Sequence, residues 1–328
     1  MPKTLMTILQ NRYILLEKIF SGLSSTDKGV YKDKKSGKKV FIKIGNEQSS
    51  LEKEYIGHTL FYNSIQENPA IYGGDELNAD LSSSLRGNPR PLNGGGRHKE
   101  YKKIGNTDVI IPKPLKIIDS ANGKALVMEY ISGAQIITLK KNLVRIKSYL
   151  KVLKLLETMN KNFDFGRSAQ VITRTSTYQI VSLPYFLLKN VFFYPAHAPL
   201  FTRTFFALMR YFSKWLKLRT NSLCHGDINV GNVLVAGEKT LVIDFAHTCV
   251  SHCYYDLSQT LNSAWSQKGF HNLFWKKTVS TFRLDKREQD LLRSFVVFNL
   301  LQRLSQKYTK AEQEKFYLKR LEKLVSQL

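Results

Sequence analysis

Between Leu223 and Leu257 the chain runs L-C-H-G-D-I-N-V-G-N-V-L-V-A-G-E-K-T-L-V-I-D-F-A and continues to Tyr255-Asp256-Leu257. Two short strand-like runs, V-L-V and L-V-I, flank a turn at Gly237. Asn232 stands before the first run and Asp244 after the second. A hairpin of this kind holds two oxygen donors able to ligate a metal and leaves Asp227 free on the preceding loop. Magnesium takes a few carboxylate or carbonyl oxygens together with phosphates, which this layout supplies. An aspartate nearby can accept the proton of an attacking hydroxyl.

The stretch resembles the catalytic and metal-binding loops of kinase-like phosphotransferases, in the branch of aminoglycoside phosphotransferases and choline kinases. That branch carries H-G-D where protein kinases carry H-R-D. The resemblance implies that Asp227 is the catalytic base and that Asn232 and Asp244 are the magnesium ligands. It implies that Asp256 braces the core of the C-terminal lobe. A chance cluster of Asp and Asn at a turn would not match four positions in order. The alanine after Asp244-Phe245 departs from the D-F-G of protein kinases, and no A-P-E follows. Both differences point away from a protein kinase.

The N-terminal half carries the parts that such a site needs. Lys43 lies in the middle of the strand V-F-I-K-I, and a lysine within a buried strand needs an anion and a carboxylate partner. In the family it pairs with a helix glutamate and reaches the α- and β-phosphates; Glu54 has the better helix position and Glu52 is the reserve. The small-residue turn Ser21 to Thr26, followed by Gly29-Val30-Tyr31, would let backbone N–H groups approach phosphate oxygens. It resembles the family's lid, with Ser24 as the contact, although it is longer and lacks G-x-G-x-x-G. An ordinary hairpin turn has the same composition. Ala125 to Gly133 resembles the hinge, where the backbone around Met128, Glu129 and Tyr130 would hold the adenine. ATP and Mg2+ are the implied cofactors. Zinc is a second option for His247, Cys249, His252 and Cys253, but Cys-x₃-Cys without a second pair matches structural sites poorly.

These residues need elements to position them. Strand-like runs cover Tyr13 to Phe20, Gly29 to Lys32, Val40 to Ile44, Val109 to Ile118 and Ala125 to Tyr130. A helix is expected over Ser49 to Tyr62. Leu139, Leu143, Ile146, Leu150, Leu153 and Leu156 step at helical spacing. One further apolar helix is expected over Leu200 to Leu218. Two more follow Leu284, the second opened by the capping-box pattern Thr309-Lys310-Ala311-Glu312. Gln66 to Gly105, rich in Gly, Ser, Asn and Pro, has no structural period and is expected to be a mobile insertion. The whole reads as an α+β, bilobal, protein-kinase-like chain. Residues 1–132 form a nucleotide-binding N-lobe, an antiparallel sheet with one helix, and 133–328 a helical C-lobe with the catalytic loop and acceptor site.

The 328 residues suffice for one large or two modest domains, and 43% hydrophobic residues exclude a disordered chain. Three cysteines are too few for a disulfide scaffold and suit a reducing compartment. No run reaches the length of a spanning helix, and no leader-like apolar core accumulates at the N-terminus. A cytoplasmic protein, peripheral at the membrane at most, is expected. Lys and Arg exceed acidic residues by 50 to 26, a net of +24. Ala134 to Thr220 holds 15 cations against Glu157 and Asp164, a net of +13. An anionic acceptor is electrostatically easier there than a polycation, though a Lys-rich solvated face would look the same.

The function expected from these features is an ATP-dependent transfer of phosphate to a small-molecule hydroxyl. Candidate acceptors are a sugar acid, a phospho-sugar or a lipid headgroup. The competing classes are a catalytically silent nucleotide-binding module and a kinase acting on protein or membrane-surface substrates. The aromatic and basic residues of Leu200 to Leu218 fit an anionic membrane surface as well as a core, with core packing the more natural use in this fold. Nucleic acid is disfavoured, because no helix-turn-helix, finger or RNA-recognition signature is present.

Overall fold

A computed structural model describes residues 4–19, 27–45, 50–66, 108–139, 141–162, 172–174, 176–262, 270–306 and 311–328. In chain order the upper part comprises α1 (Leu5–Arg12), β1 (Tyr13–Ile19), β2 (Asp27–Asp33), β3 (Lys39–Gly45), α2 (Leu51–Gln66), β4 (Val109–Ile110), β5 (Pro114–Ser120) and β6 (Gly123–Glu129). The lower part follows with β7 (Ala134–Gln135), α3 (Asn142–Asn162), β8 (Ile172–Thr173), α4 (Ser176–Phe193), α5 (Ala198–Met209) and α6 (Phe212–Leu216). It ends with β9 (Ser222–Cys224), β10 (Val233–Ala236), β11 (Lys239–Val242), β12 (Cys249–Ser251), α7 (Tyr255–Leu261), α8 (Phe270–Phe282), α9 (Lys286–Leu304) and α10 (Ala311–Val325).

Five strands form one antiparallel sheet in the order β1-β2-β3-β6-β5. Alternation along β3 buries Val40 and Ile42 on the side that also receives Leu5, Leu9 and Tyr13, so α1 covers one face. The other face receives α2: Leu51 packs against Leu126 and Met128. The second half of α2 leaves the sheet, and Phe61 and Ile65 join the large core of the lower part. That core is built by the inward faces of α3 to α10. At its centre Trp215 stacks on Phe295 at 4.9 Å and donates its indole N–H to Ser294 Oγ at 2.9 Å. Asp285 and Glu288 form a reciprocal capping box that starts α9.

Several elements differ from the sequence reading. The run Val109 to Ile118 is not one strand: β4 pairs in parallel with β11 below, whereas β5 pairs with β6 in the upper sheet. Pro112 lies between them and Pro114 opens β5, and proline cannot donate to a continuous ladder. The expected helix Leu200 to Leu218 is two, with a break at Arg210 and Tyr211. Within it Phe201, Tyr211 and Trp215 are core residues and Phe206 is exposed. Helices α1, α4, α7 and α8 were not anticipated. Residues 67–105 of the insertion, and Thr309 and Lys310 of the capping-box pattern, lie outside the described residues.

Candidate active site

The loop after β9 carries His225, Gly226 and Asp227. Asp256, at the start of α7, grips it from below: its two carboxylate oxygens accept the backbone N–H groups of His225 and Gly226, each at 2.8 Å. Complete burial pushes the Asp256 carboxyl up to about 6, while the two N–H donors pull the other way. Gly226 has φ 83°, and a Cβ there would lie 2.1 Å from the carbonyl oxygen of His247, so only glycine fits this corner. The His225 Nε2 lies 3.1 Å from the Ile243 carbonyl, and its Nδ1 faces the Asp227 N–H at 3.3 Å. This pairing suits a neutral ring that donates through Nε2, and burial lowers its pKa in the same sense. His225 therefore ties the Asp227 loop to the residue before Asp244.

Hairpin β10–β11 does the positioning that its sequence suggested. Val233 pairs with Val242, and the Ile243 N–H donates to the Asn232 carbonyl at 3.0 Å, so Asn232 and Asp244 emerge side by side at the open end. The Asn232 Nδ2 donates to the Asp227 carbonyl at 2.9 Å and to its Oδ2 at 3.1 Å. With its amide nitrogen spent there, Asn232 has its amide oxygen left as a possible metal ligand. Asp244 adopts a left-handed conformation, φ 69° and ψ 68°. One amide oxygen and one carboxylate at the end of a rigid hairpin fit a magnesium ion that takes its other oxygens from phosphates and water.

From above, Lys43 reaches into the same place. Its Nζ lies 2.5 Å from Glu54 Oε1 and 3.2 Å from Asp244 Oδ1, and both Lys43 and Glu54 are buried. Burial disfavours the Lys43 charge, but the two carboxylates outweigh it and raise its pKa. Burial likewise works against Asp244, yet the Lys43 ammonium holds that carboxyl below its ordinary value. Glu52 instead pairs with Lys124 at the surface.

Glu54 is held by a close approach of α2 to the loop after Asp244. A Cβ on Gly57 would lie 2.4 Å from Thr248 Oγ1. One turn on, His58 stacks on Phe245 at 4.5 Å, and Phe61 meets the same ring at 5.0 Å. The segment Met128 to Tyr130 follows Leu126, the cross-strand partner of Lys43. Met128 is buried, and the Glu129 N–H is already donated to the Lys113 carbonyl at 2.9 Å. The first main-chain groups beyond the sheet are thus those of Tyr130. Ser24 lies outside the described residues.

Lys28 was missed by sequence reasoning. It pairs across the sheet with Lys43, and burial together with the Lys43 charge lowers its pKa. The strand pairing β2–β3 was the signal; its register was not legible. His58 and Gly57 were missed for a different reason, since nothing local marks a helix as packing on a loop far away in sequence. The Cys/His cluster disperses. Cys224 and Cys249 face each other inside the β9–β12 pair, His252 stacks on Phe295 at 4.1 Å, and Cys253 is exposed. Among the described residues no three His, Cys, Asp or Glu side chains gather into a metal site.

Comparison with known proteins places this geometry. A family model described as the phosphotransferase enzyme family matches residues 98–274. No curated protein matches the sequence. Among solved structures, an aminoglycoside phosphotransferase bound to ADP and hygromycin B superposes with a TM-score of 0.63 at 10% identity, covering 98% of this chain and 97% of that one. A microcompartment-associated aminopropanol kinase gives 0.63 at 12% identity, with 97% and 94% covered. A choline kinase from Streptococcus pneumoniae gives 0.53 at 10% identity, with 98% and 99% covered. The bilobal, protein-kinase-like fold expected from the sequence is the fold these structures share.

Proposed function

Because the chain belongs to the phosphotransferase enzyme family, we propose that it transfers the γ-phosphate of ATP to a hydroxyl of a small, anionic acceptor. The observation that carries this reading is the convergence of Lys43, Glu54 and Asp244 opposite the Asp227–Asn232 pair. The nucleotide would lie between residues 1–132 and 133–328, with its base against the main chain at Met128 to Tyr130. Lys43, already charged, clamps its phosphates. Asn232 and Asp244 would hold magnesium, which supplies charge neutralisation at the phosphates. Asp227, oriented by the Asn232 amide, takes the acceptor's proton as its oxygen bonds to the γ-phosphorus and the bond to the ADP oxygen breaks. His225 and Asp256 act by fixing the loop.

The acceptor class rests on charge. The similar structures include proteins solved with spectinomycin and hygromycin B, and an aminopropanol kinase, all named for amine-bearing compounds. The net +13 of Ala134 to Thr220 opposes such a cation. A γ-phosphate transfer screen over anionic, neutral and cationic acceptors at two salt concentrations tests both levels. Anionic hydroxyl compounds should be phosphorylated fastest and should lose apparent affinity as salt rises. Preference for an aminoglycoside would overturn the acceptor class alone. Magnesium-dependent nucleotide binding with no transfer to any acceptor and no hydrolysis would overturn the enzyme.

A further inference from the structure

Helix α4 is apolar on two opposite sides. Leu183, Phe186, Leu187 and Asn190 face inward, with Phe186 against Phe298 and Asn190 Nδ2 donating to the Leu301 carbonyl. Tyr178, Val181, Tyr185, Leu188 and Phe192, spaced by three and four, form a second stripe that faces solvent. Val181 is 73% exposed, Leu188 72% and Phe192 80%. A helix apolar all round belongs in a core, and this one has a core on one side only. The stripe runs about 21 Å along the helix.

The neighbouring helices extend it. Helices α4, α5 and α10 all pack on α9, and α5 also touches both α4 and α10, so their outer surfaces form one layer. Phe206 and Met209 of α5 and Leu216 of α6 are exposed as well. Of the fifteen large apolar side chains exposed among the described residues, eight lie between Tyr178 and Leu216. Exposed apolar side chains concentrated on adjoining helices in this way mark an interaction surface.

Charge identifies the occupant. From Arg174 to Thr220 the chain has seven cations and no carboxylate. Lys189 lies over the rings of Tyr185 and Phe193, at 5.5 and 5.7 Å, with its ammonium beside the stripe. Arg203, Phe206, Arg210, Lys319 and Lys323 line a groove of about 770 Å³ between α5 and α10, where Glu322 is the one acidic side chain. A second copy of a +24 chain would bring like charges together across this face. An anionic bilayer neutralises them and takes up the apolar side chains. Among the described residues no helix is long and apolar enough to cross a membrane, so the mode would be contact in the interfacial plane.

We propose that the outer face of α4, continued by α5 and α6, docks this protein onto an anionic lipid surface, with the stripe from Tyr178 to Phe192 entering the headgroup region. The inference goes beyond the phosphotransferase reading and does not depend on it. Co-sedimentation of the full chain with phosphatidylcholine vesicles, with and without phosphatidylglycerol, tests it. Binding should be about tenfold or more stronger to the anionic vesicles and should weaken as salt rises. Val181→Asp with Leu188→Asp should remove that binding while leaving circular dichroism and magnesium-nucleotide affinity unchanged. Should that variant fail to fold, Leu188→Ser with Phe192→Ser replaces it with the same expected loss. Equal binding to both vesicles, no binding to either, or full binding by the stripe variants would overturn the proposal. A dimer of the free chain that the stripe substitutions split would also overturn it, because the face would then be an interface between copies.

Discussion

Asp227, Asn232 and Asp244 sit close together, and substitutions should separate the different roles proposed for them. Asp227→Asn keeps an oxygen able to accept the Asn232 N–H bond and removes the proposed proton acceptor. Turnover should fall by about a hundred- to ten-thousandfold with nucleotide affinity nearly intact. Asp244→Ala removes a proposed magnesium ligand and one of the two carboxylates beside Lys43. Magnesium-nucleotide binding itself should weaken severely. Calorimetric titration beside steady-state kinetics measures both; equal loss of binding in the two variants would contradict the division. His252 gives a separate signature in stability. Its ring is buried on Phe295 with the Gln179 amide at its Nε2, and burial lowers its pKa to about 3. The unfolded ring titrates near 6.5, so between these values the unfolded chain binds the extra proton. Stability must then fall as pH drops below about 6.5, by up to about 1.4 kcal/mol per pH unit for this residue. Melting curves from pH 7.5 to 5 should show a smaller fall in His252→Gln than in the native chain. An identical pH dependence in both would remove the residue from the account.

Among the elements, α2 is where packing decides the chemistry. Alanine at position 57 would add about 1 kcal/mol of helix propensity. Its Cβ, however, would meet Thr248 Oγ1 at 2.4 Å and the Phe245 carbonyl oxygen at 2.7 Å. Overpacking of this kind costs about 1–3 kcal/mol, so Gly57→Ala should lower the melting temperature. It should also lower nucleotide affinity, since a shift of α2 that relieves the clash moves Glu54 relative to Lys43. Raised stability with unchanged affinity would show that the approach is loose. The elements also show what one sequence can and cannot convey. Hairpin β10–β11 was legible because Asn232, Gly237 and Asp244 punctuate two short apolar runs. Lys43 was legible as a charge in a buried strand, and Glu54 as a carboxylate on the following helix. Helix α4 was not, because it is apolar on both sides and so lacks a polar period, and because Pro184 reads as a breaker. The break at Arg210 and Tyr211 has no glycine or proline to mark it, and β4 is too short to carry a pattern. Contacts between distant segments, such as Gly57 against Thr248, leave no trace in local periodicity.

On the scale of the whole molecule, the two lobes are not separable at a single line. β4 leaves the upper sheet to pair with β11, and α2 starts against Leu126 and Met128 but ends with Phe61 and Ile65 inside the lower core. The straddling helix has a consequence for how the fold breathes. Local opening follows cooperative units set by packing, not by position along the chain. The amides from Gly57 to Ile65 should therefore exchange with deuterium together with α9, which lies at the centre of the lower core, and more slowly than the strand amides of β1 at the sheet edge. If they exchanged in step with β1, the second half of α2 would belong dynamically to the sheet. Slow exchange shared with α9 would instead anchor the far half of the helix that carries Glu54 to the lower body. Any swing of the sheet over the nucleotide would then change the Lys43–Glu54 separation, so the ion pair would work as a gauge of lobe closure.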